Sequence, residues 1–250
     1  MYNNKPIINK NITTTLPSFI RTGNTYFKEK EYQVKTMVNA FQLSQTFYTI
    51  TMNENGWKHL KTILTFTDNG DTNPTNRPLY TYFHYHHHLE SIRNKLWKNP
   101  KVSEWGKFIH YWKQDEFQNH DTIHTHRVVW LEKSIEELIS LNIIKADILN
   151  PIYEPELYKI VIKYQIHQCK PEICNGPCAP GERCLKGFPQ PLSATTYITP
   201  NSFYYTYRRI KPKDQWVVSY HGPTLLLWKA YCYFMYVTLI FLHTILQNIL

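Results

Sequence analysis

The sequence lacks the features of a secreted protein. Its first 19 residues, MYNNKPIINKNITTTLPSF, contain no continuous apolar segment that could form the core of a signal peptide. Only five cysteines occur in 250 residues, an odd number confined to positions 169–232, which does not resemble a secreted disulfide framework. Basic residues are also too scattered to form an obvious nuclear localisation cluster. We therefore expect a reducing location, nuclear or otherwise intracellular.

Acidic residues are scarce relative to basic ones. Nineteen Asp and Glu stand against 28 Lys and Arg, which gives a net charge of +9 with histidine neutral. The chain also carries 12 Phe, 7 Trp and 19 Tyr. The basic excess suits a polyanionic partner, and aromatic rings can stack on unpaired bases. Charge alone is equally compatible with an ordinary basic surface, so the expectation of nucleic acid depends on the motifs below.

Helical and strand patterns alternate along the chain without a visible internal repeat. Residues 1–24 are polar and carry no sustained period, which predicts a loose N-terminal arm. Alternating Thr and apolar residues predict a strand at 46–52, and two further strands, within 104–118 and at 123–131, predict an antiparallel hairpin. This alternation indicates an α+β fold, a central antiparallel sheet with flanking helices. Helices are predicted at 27–42, 54–64, 79–97, 133–143 and 154–167.

A pair of histidines lies at the centre of the predicted strand 123–131. His124 and His126 flank Thr125, and residues two apart on a strand project to the same face. Two neutral imidazoles side by side can bind one divalent metal ion. A chain with 12 histidines contains such spacings by chance, so two strand histidines without a metal are the alternative. Thr125 should point into the core, where its hydroxyl needs a hydrogen-bond partner.

A second group of potential ligands lies within 18 residues farther along the chain. The residues are His167, Cys169, Cys174, Cys178 and Cys184, and the glycines and prolines among them permit tight turns. Four of these five side chains could form a tetrahedral zinc site. The spacing does not select which of Cys169, Cys174 and Cys178 would be spare. Thiols that bind no metal are the alternative.

Motifs spread over most of the chain, from about Tyr32 to Val237, resemble one known family. EFQ at 116–118 is followed after five residues by His-Thr-His and an apolar VVWL. Together the segments are similar to the Helitron helicase-like domain, the replication-initiator (Rep) domain of rolling-circle transposons, whose histidine motif is called HUH. The other segments are FYTITMNENGW (47–57), RPLYTYF (77–83), LYKIVIKYQIH (157–167), PCAPGERCLKGFPQPLS (177–193) and QWVVSYHGPTLLLWKA (215–230).

The resemblance implies an HUH-endonuclease fold and a metal-dependent single-stranded DNA endonuclease and strand transferase. In such nucleases the ion acts as a Lewis acid on the scissile phosphate. His124 and His126 would bind Mg²⁺ or Mn²⁺ with Gln118 or Glu116 as a third ligand, and spacing does not choose between those two. The family's cysteine segment supports a structural Zn²⁺ at the second group. Phosphate contacts are assigned, on charge alone, to Arg77, Arg93, Lys95 and Arg127.

The family's nucleophile is a tyrosine on a helix after the WKA segment, in a pattern like KY-x-x-KY. Tyr231, Tyr233 and Tyr236 follow WKA here without those lysines, so they are weak candidates. We expect a Rep domain at 25–230 and an apolar tail at 231–250 that arises from a shifted or truncated frame, before the tyrosine motif and the family's helicase. A transmembrane segment and a buried helix are the alternatives for the tail.

These patterns predict a Helitron-type Rep fragment that binds single-stranded DNA and a metal ion. Because the tyrosine pattern is not matched, we do not expect it to cleave DNA efficiently, and whether it is an enzyme stays open. The alternatives are a non-catalytic, zinc-stabilised DNA-binding protein and a decayed transposon product. A membrane partner is not expected.

Overall fold

The computed structural model describes residues 24–67, 71–117, 122–174, 183–199 and 204–238. The chain divides into two units, residues 1–42 with 243–250 and residues 43–242. Helix α1 (Asn24–Phe41) is the described element of the first unit, and it confirms the helix predicted at 27–42. The N-terminal arm predicted at 1–24 lies almost wholly outside the described residues. Both groups of potential metal ligands belong to the second unit.

A four-stranded antiparallel sheet forms the centre of the second unit. The described residues contain six strands, four of which belong to this sheet. The six are β1 (Thr46–Thr51), β2 (Phe108–Phe117), β3 (Ile123–Leu131), β4 (Tyr197–Ile198), β5 (Tyr205–Thr206) and β6 (Cys232–Tyr236). Their order in the sheet is β2-β3-β1-β6, and β4 pairs with β5 in a separate ribbon. Strand β3 is buried along nearly its whole length, since it lies inside the sheet with a paired strand on each side. The α+β class, the β2–β3 hairpin and the antiparallel sheet are thus confirmed.

Helices flank this sheet, and several begin where proline fixes the first turn. Pro78, Pro155 and Pro223 occupy the first or second positions of three of them. A capping box between Ser134 and Glu137 begins another. No described helix has both the length and the apolar character needed to cross a membrane. The helices are α2 (Lys58–Thr67), α3 (Pro78–Ile92, continued by a π-helical turn at Arg93–Trp97), α4 (Ile135–Ser140), α5 (Pro155–Tyr164), α6 (Pro171–Cys174) and α7 (Gly222–Trp228).

Strand register brings several polar residues together on one face of the sheet. Thr49 lies opposite His126 on one side of β1 and opposite Tyr233 on the other, and Thr51 lies opposite His124. Paired residues in neighbouring antiparallel strands project to the same face. The two histidines, two threonines and Tyr233 therefore share one face, on adjacent strands.

The opposite face packs against α3 and holds the residue between the histidines. Thr125 is fully buried there, and its hydroxyl donates to Asp115 Oδ1 over 2.6 Å. The Tyr85 hydroxyl, from α3, lies 2.8 Å from the Thr125 oxygen and 3.1 Å from the Ile50 carbonyl oxygen. The hydroxyl partner that the sequence required is thus present. The same bonds attach β3 to its neighbours directly beneath the histidine pair.

The segment predicted to be an apolar tail begins with a strand of the sheet. Cys232–Tyr236 pairs with β1 along its length, so the boundary predicted at residue 230 and the helical alternative are wrong for these residues. The physical reason is that four of the five residues of β6 are buried, so the segment is apolar on both sides and shows no polar alternation. Residues 239–250 lie outside the described part of the chain.

Candidate functional site

Two threonines hold the imidazoles of the histidine pair, His124 and His126. The Thr49 hydroxyl lies 2.8 Å from His126 Nδ1, and the Thr51 hydroxyl lies 2.9 Å from His124 Nδ1. Each ring is therefore held through one nitrogen, and its Nε2 atom projects beyond the strand. Metal-binding histidines are commonly oriented by such a bond to the second ring nitrogen. The arrangement fixes the rotamers of both rings before any ligand binds.

Glu116 supplies a carboxylate beside the histidine pair. Its position in β2 lies opposite His124, and its Oε2 atom lies 3.1 Å from His126 Nε2. Both atoms carry lone pairs, so a proton or a metal cation must lie between them. Of the two predicted third ligands, Glu116 is thus brought to the pair, whereas Gln118 lies outside the described residues. Two imidazole nitrogens and one carboxylate oxygen suit a divalent ion whose other positions water or phosphate would fill.

The environment of His124 favours its neutral form. Burial, and secondarily the neighbouring His126, lower the pKa of His124 to about 4. An imidazole must be neutral to bind a metal. His124 therefore presents its ligand form throughout the neutral pH range, without proton loss on binding.

An open cleft of about 980 Å³ lies over this face of the sheet. The histidine pair and Thr49 line its floor. Its other walls come from distant parts of the chain and combine cationic with aromatic side chains, the composition expected of a single-stranded nucleic-acid groove. These wall residues include Tyr164, Arg183, Lys186, Tyr204, Arg209, Tyr231 and Tyr233.

The three tyrosines proposed as weak nucleophile candidates do not lie together. Tyr231 and Tyr233 line the cleft, and Tyr231 is 39% exposed. The Tyr231 carbonyl accepts a hydrogen bond from the backbone N–H of Thr51, the residue that holds His124. Tyr236 projects to the other face of the sheet, is fully buried, and donates its hydroxyl to the Leu138 carbonyl. Tyr236 is therefore wrong as a candidate, because its hydroxyl cannot reach the cleft.

Four residues of the cysteine-rich segment converge in space. His167, Cys169, Cys174 and Cys184, named the His/Cys cluster below, place their ligand atoms within 4.8 Å of one another. Their sulfurs lie 3.6, 3.5 and 3.4 Å from His167 Nε2, in that order. A tetrahedral zinc ion with usual bond lengths requires N···S separations of ~3.5 Å. The cluster could therefore hold a metal such as zinc, and Cys178, also a predicted ligand, lies outside the described residues.

The backbone around the His/Cys cluster holds its ligands in place. The His167 N–H donates to the Trp216 carbonyl over 2.8 Å, and the His167 ring stacks on Phe188 at 4.2 Å. Burial alone would raise the pKa of the Cys184 thiol, but hydrogen bonds from the backbone of Phe188 and Lys186, with neighbouring thiols, lower it. A lowered thiol pKa favours the thiolate, the form that binds metal. Among the described histidines, cysteines, aspartates and glutamates, this is the group that meets the geometric requirement for a metal site.

The basic residues chosen on charge alone do not line the cleft. The Arg127 side chain is 1% exposed and pairs with Glu90 at 2.7 Å on the opposite face of the sheet. Arg93 also pairs with Glu90, and Arg77 is half-buried. Arg127 is therefore wrong as a phosphate contact, because the core encloses its guanidinium. Lys95 is exposed but lies on the π-helical turn that follows α3.

The threonines of β1 contact the histidine rings, although the sequence alone does not mark them as site residues. Their signal is the alternation of Thr in TFYTITM, which by itself predicts only a strand. That β1 lies beside β3 places Thr49 and Thr51 against the histidine rings. The pairing joins residues more than 70 positions apart, so no local pattern predicts it.

Replacing Thr49 with valine is expected to weaken Mn²⁺ binding roughly tenfold or more. The substitution removes the hydroxyl that orients His126, whereas valine keeps the β-branched shape that suits a strand. Titration calorimetry with Mn²⁺ measures the affinity. Thr46→Val, on the same strand but the opposite face, is the matched control and should bind Mn²⁺ as the unchanged protein does. Equal affinities for all three proteins would show that Thr49 does not position a metal ligand.

The comparison with known proteins concerns the N-terminal half of the chain. A protein-family model described as the Helitron helicase-like domain at N-terminus matches residues 4–129, which is 126 of the 250 residues. The match includes strands β1 and β2, most of β3, the histidine pair and Glu116. The match ends before the His/Cys cluster and Tyr231, so the description of these two features depends on the structure alone. No curated protein matches the chain at a significant level.

Proposed function

Because the chain belongs to the family of Helitron helicase-like N-terminal domains, as its motifs indicated, we propose that it binds and cleaves single-stranded DNA with a divalent metal ion. The proposed fold is the HUH-endonuclease type, and the proposed reaction is the strand cleavage and transfer of rolling-circle transposition. His124, His126 and Glu116 would bind Mg²⁺ or Mn²⁺. The cleft above them would bind the DNA strand.

The observation that supports this function most is the fixed orientation of the histidine pair. Both Nδ1 atoms contact threonine hydroxyls, while His126 Nε2 faces the Glu116 carboxylate at 3.1 Å. Two imidazole nitrogens and a carboxylate oxygen on one face of a sheet are ligands that a divalent ion such as Mn²⁺ accepts, with water and phosphate oxygens in its other positions. When bound, such an ion withdraws electron density from a phosphate oxygen and makes the phosphorus more open to attack.

Although the family's lysine-flanked tyrosine pattern is not matched here, Tyr231 is the nucleophile that we propose, since it combines exposure with closeness to the pair. It lies next to Thr51, whose hydroxyl contacts His124, and its ring borders the cleft. Attack by its oxygen would form a phosphotyrosyl bond with the 5′ phosphate and break the bond from phosphorus to O3′. The phenol would lose its proton, and the released 3′ oxygen would gain one. Tyr233, which is less exposed, is the second candidate. Burial raises the pKa of both phenols and so disfavours the reactive phenolate at either position.

The test is cleavage of a single-stranded oligonucleotide in the presence of Mn²⁺, with covalent protein–DNA adducts resolved on a denaturing gel. We expect an adduct for the unchanged protein and none for His126→Ala or Tyr231→Phe. His87→Ala, an exposed histidine of α3, is the matched control and should keep the adduct. An adduct that persists in His126→Ala, or no adduct with either Mn²⁺ or Mg²⁺, would contradict the proposed reaction.

A non-catalytic, zinc-stabilised DNA-binding protein is the second candidate function. It is favoured by the convergence of four ligands in the His/Cys cluster, which is more complete than the three groups at the histidine pair. Such a protein would bind single-stranded DNA with steep salt dependence and independently of Mn²⁺. DNA binding that is unaffected by Mn²⁺ and yields no adduct would select this function.

A further inference from the structure

The turn that follows Cys184 joins the His/Cys cluster to the cleft. The Cys184 N–H donates to the Phe188 carbonyl over 2.8 Å, and the Gly187 N–H donates to the Cys184 carbonyl over 2.7 Å. Gly187 has a φ of +79°, a conformation that residues with a Cβ atom rarely adopt. This tight turn presents Arg183 and Lys186, both exposed, along the same cleft that the histidine pair lines. One metal ligand thus carries a cationic residue on each side of it.

Apolar contacts continue from the His/Cys cluster to the floor of the cleft. Phe188, which stacks on His167, shares a buried apolar group with Cys174, Cys184 and Val218. Tyr233 packs against this group from β6 and lies directly across β1 from His126. Packing contacts through Phe188 and Tyr233 therefore connect the His/Cys cluster to the strands that carry the histidine pair.

We propose that Arg183 and Lys186 bind phosphates of single-stranded DNA, and that they do so only while the His/Cys cluster holds a zinc ion. The inference rests on the proposed function of the cleft as a DNA site and adds the residues and the control of that binding. With zinc, the Cys184 sulfur is bonded through the ion to His167, Cys169 and Cys174, which restricts the position of the turn. Without zinc, the sulfurs contact His167 Nε2 through weak hydrogen bonds, and the turn keeps its own two backbone hydrogen bonds. The strength of the link between this turn and the rest of the cluster then depends on the ion.

The proposal predicts a defined loss of electrostatic binding. Each contact with a phosphate of single-stranded DNA contributes ~0.7 to the slope of log affinity against log salt concentration. The double variant Arg183→Ala/Lys186→Ala should therefore lower that slope by ~1.4 and weaken binding roughly tenfold at moderate salt. Since neither side chain is a zinc ligand, the variant should still bind one zinc ion per chain.

The experiment measures binding of a fluorescein-labelled oligo(dT) 20-mer by fluorescence anisotropy across a salt series. It uses the full chain, zinc-loaded and zinc-stripped by a chelator that is then removed, with zinc content measured for each sample. The matched control is Lys98→Ala/Lys101→Ala, which removes two exposed charges that do not line the cleft. This control should keep the slope of the unchanged protein to within ~0.3, because both lysines lie outside the cleft.

Stripping zinc from the unchanged protein should weaken binding by about the same factor as the double substitution, and stripping the double variant should add little. That non-additivity is the sign that zinc acts through Arg183 and Lys186. A zinc-loaded double variant that binds like the unchanged protein would overturn the inference, even if stripping itself unfolds the chain. If the unchanged, zinc-loaded protein binds no single-stranded DNA, the proposed function of the cleft fails, and the inference fails with it.

Discussion

Replacing Cys184 with serine is expected to abolish zinc binding and to lower the midpoint of thermal unfolding by roughly 10 °C or more. Cys184 is buried and its sulfur lies 3.4 Å from His167 Nε2, so it is an interior member of the His/Cys cluster, which could hold a zinc ion. Zinc that binds only the folded arrangement contributes its binding free energy to folding. The loss of one thiolate from a tetrahedral site removes most of that contribution, because serine is a poor zinc ligand.

Calorimetric unfolding scans with and without added Zn²⁺ measure this effect. The unfolding midpoint of the unchanged protein should rise when Zn²⁺ is added. The midpoint of Cys184→Ser should not change with Zn²⁺. Cys178→Ser is the matched control, and we expect it to keep one zinc per chain because the four described ligands complete a tetrahedral shell. Loss of zinc from Cys178→Ser, together with retention by Cys184→Ser, would show that a different set of ligands binds the ion.

Replacing Arg127 with alanine is expected to lower the free energy of unfolding by ~3–5 kcal/mol without changing the salt dependence of DNA binding. The Arg127 side chain is almost completely buried, pairs with Glu90 at 2.7 Å, and lies over the Tyr111 ring at 5.0 Å. Its removal leaves a cavity beneath β3 and deprives Glu90 of one of two arginine partners. The loss is structural because Arg127 lies on the face of the sheet opposite the cleft.

Urea denaturation followed by tryptophan fluorescence measures the stability difference. The exposed residue Lys95 provides the control, since Lys95→Ala should change stability by less than ~0.5 kcal/mol. Arg127→Lys should restore little, because an ammonium group cannot reproduce the planar contacts of a guanidinium. A stable Arg127→Ala variant with a reduced salt slope would instead identify Arg127 as a phosphate contact.

The histidine pair shows which features of the site a local sequence pattern can predict and which it cannot. The placement of His124 and His126 on one strand face follows from the period of a β-strand, and the structure confirms that strand. The buried position of Thr125 follows from the same period. The threonines that hold the rings could not be identified in this way. They come from β1, and strand pairing over such a distance depends on the whole sheet.

At the cysteine-rich segment, too, the sequence predicts the kind of site, whereas the choice of ligands depends on the tertiary structure. Its composition indicated a zinc site but left three cysteines as equal candidates for the spare position. The structure brings Cys169, Cys174 and Cys184 to His167. Their meeting depends on the short helix α6, on the turn at Gly187 and on the bond from His167 to Trp216. None of these features is encoded in the spacing between the ligands.

The class of fold, the family, the common face of His124 and His126, and the set of potential soft ligands all follow from the order of residues in the chain. These features depend on period, composition and motif order, all of which are local or additive along the chain. Tertiary contacts are needed to show that Cys232–Tyr236 completes the sheet, that Arg127 is buried, and that Tyr231 and Tyr233 border the cleft. An apolar run or an arginine is compatible with several environments. Only long-range strand pairing and burial select one, because the contacts that stabilise it come from distant residues.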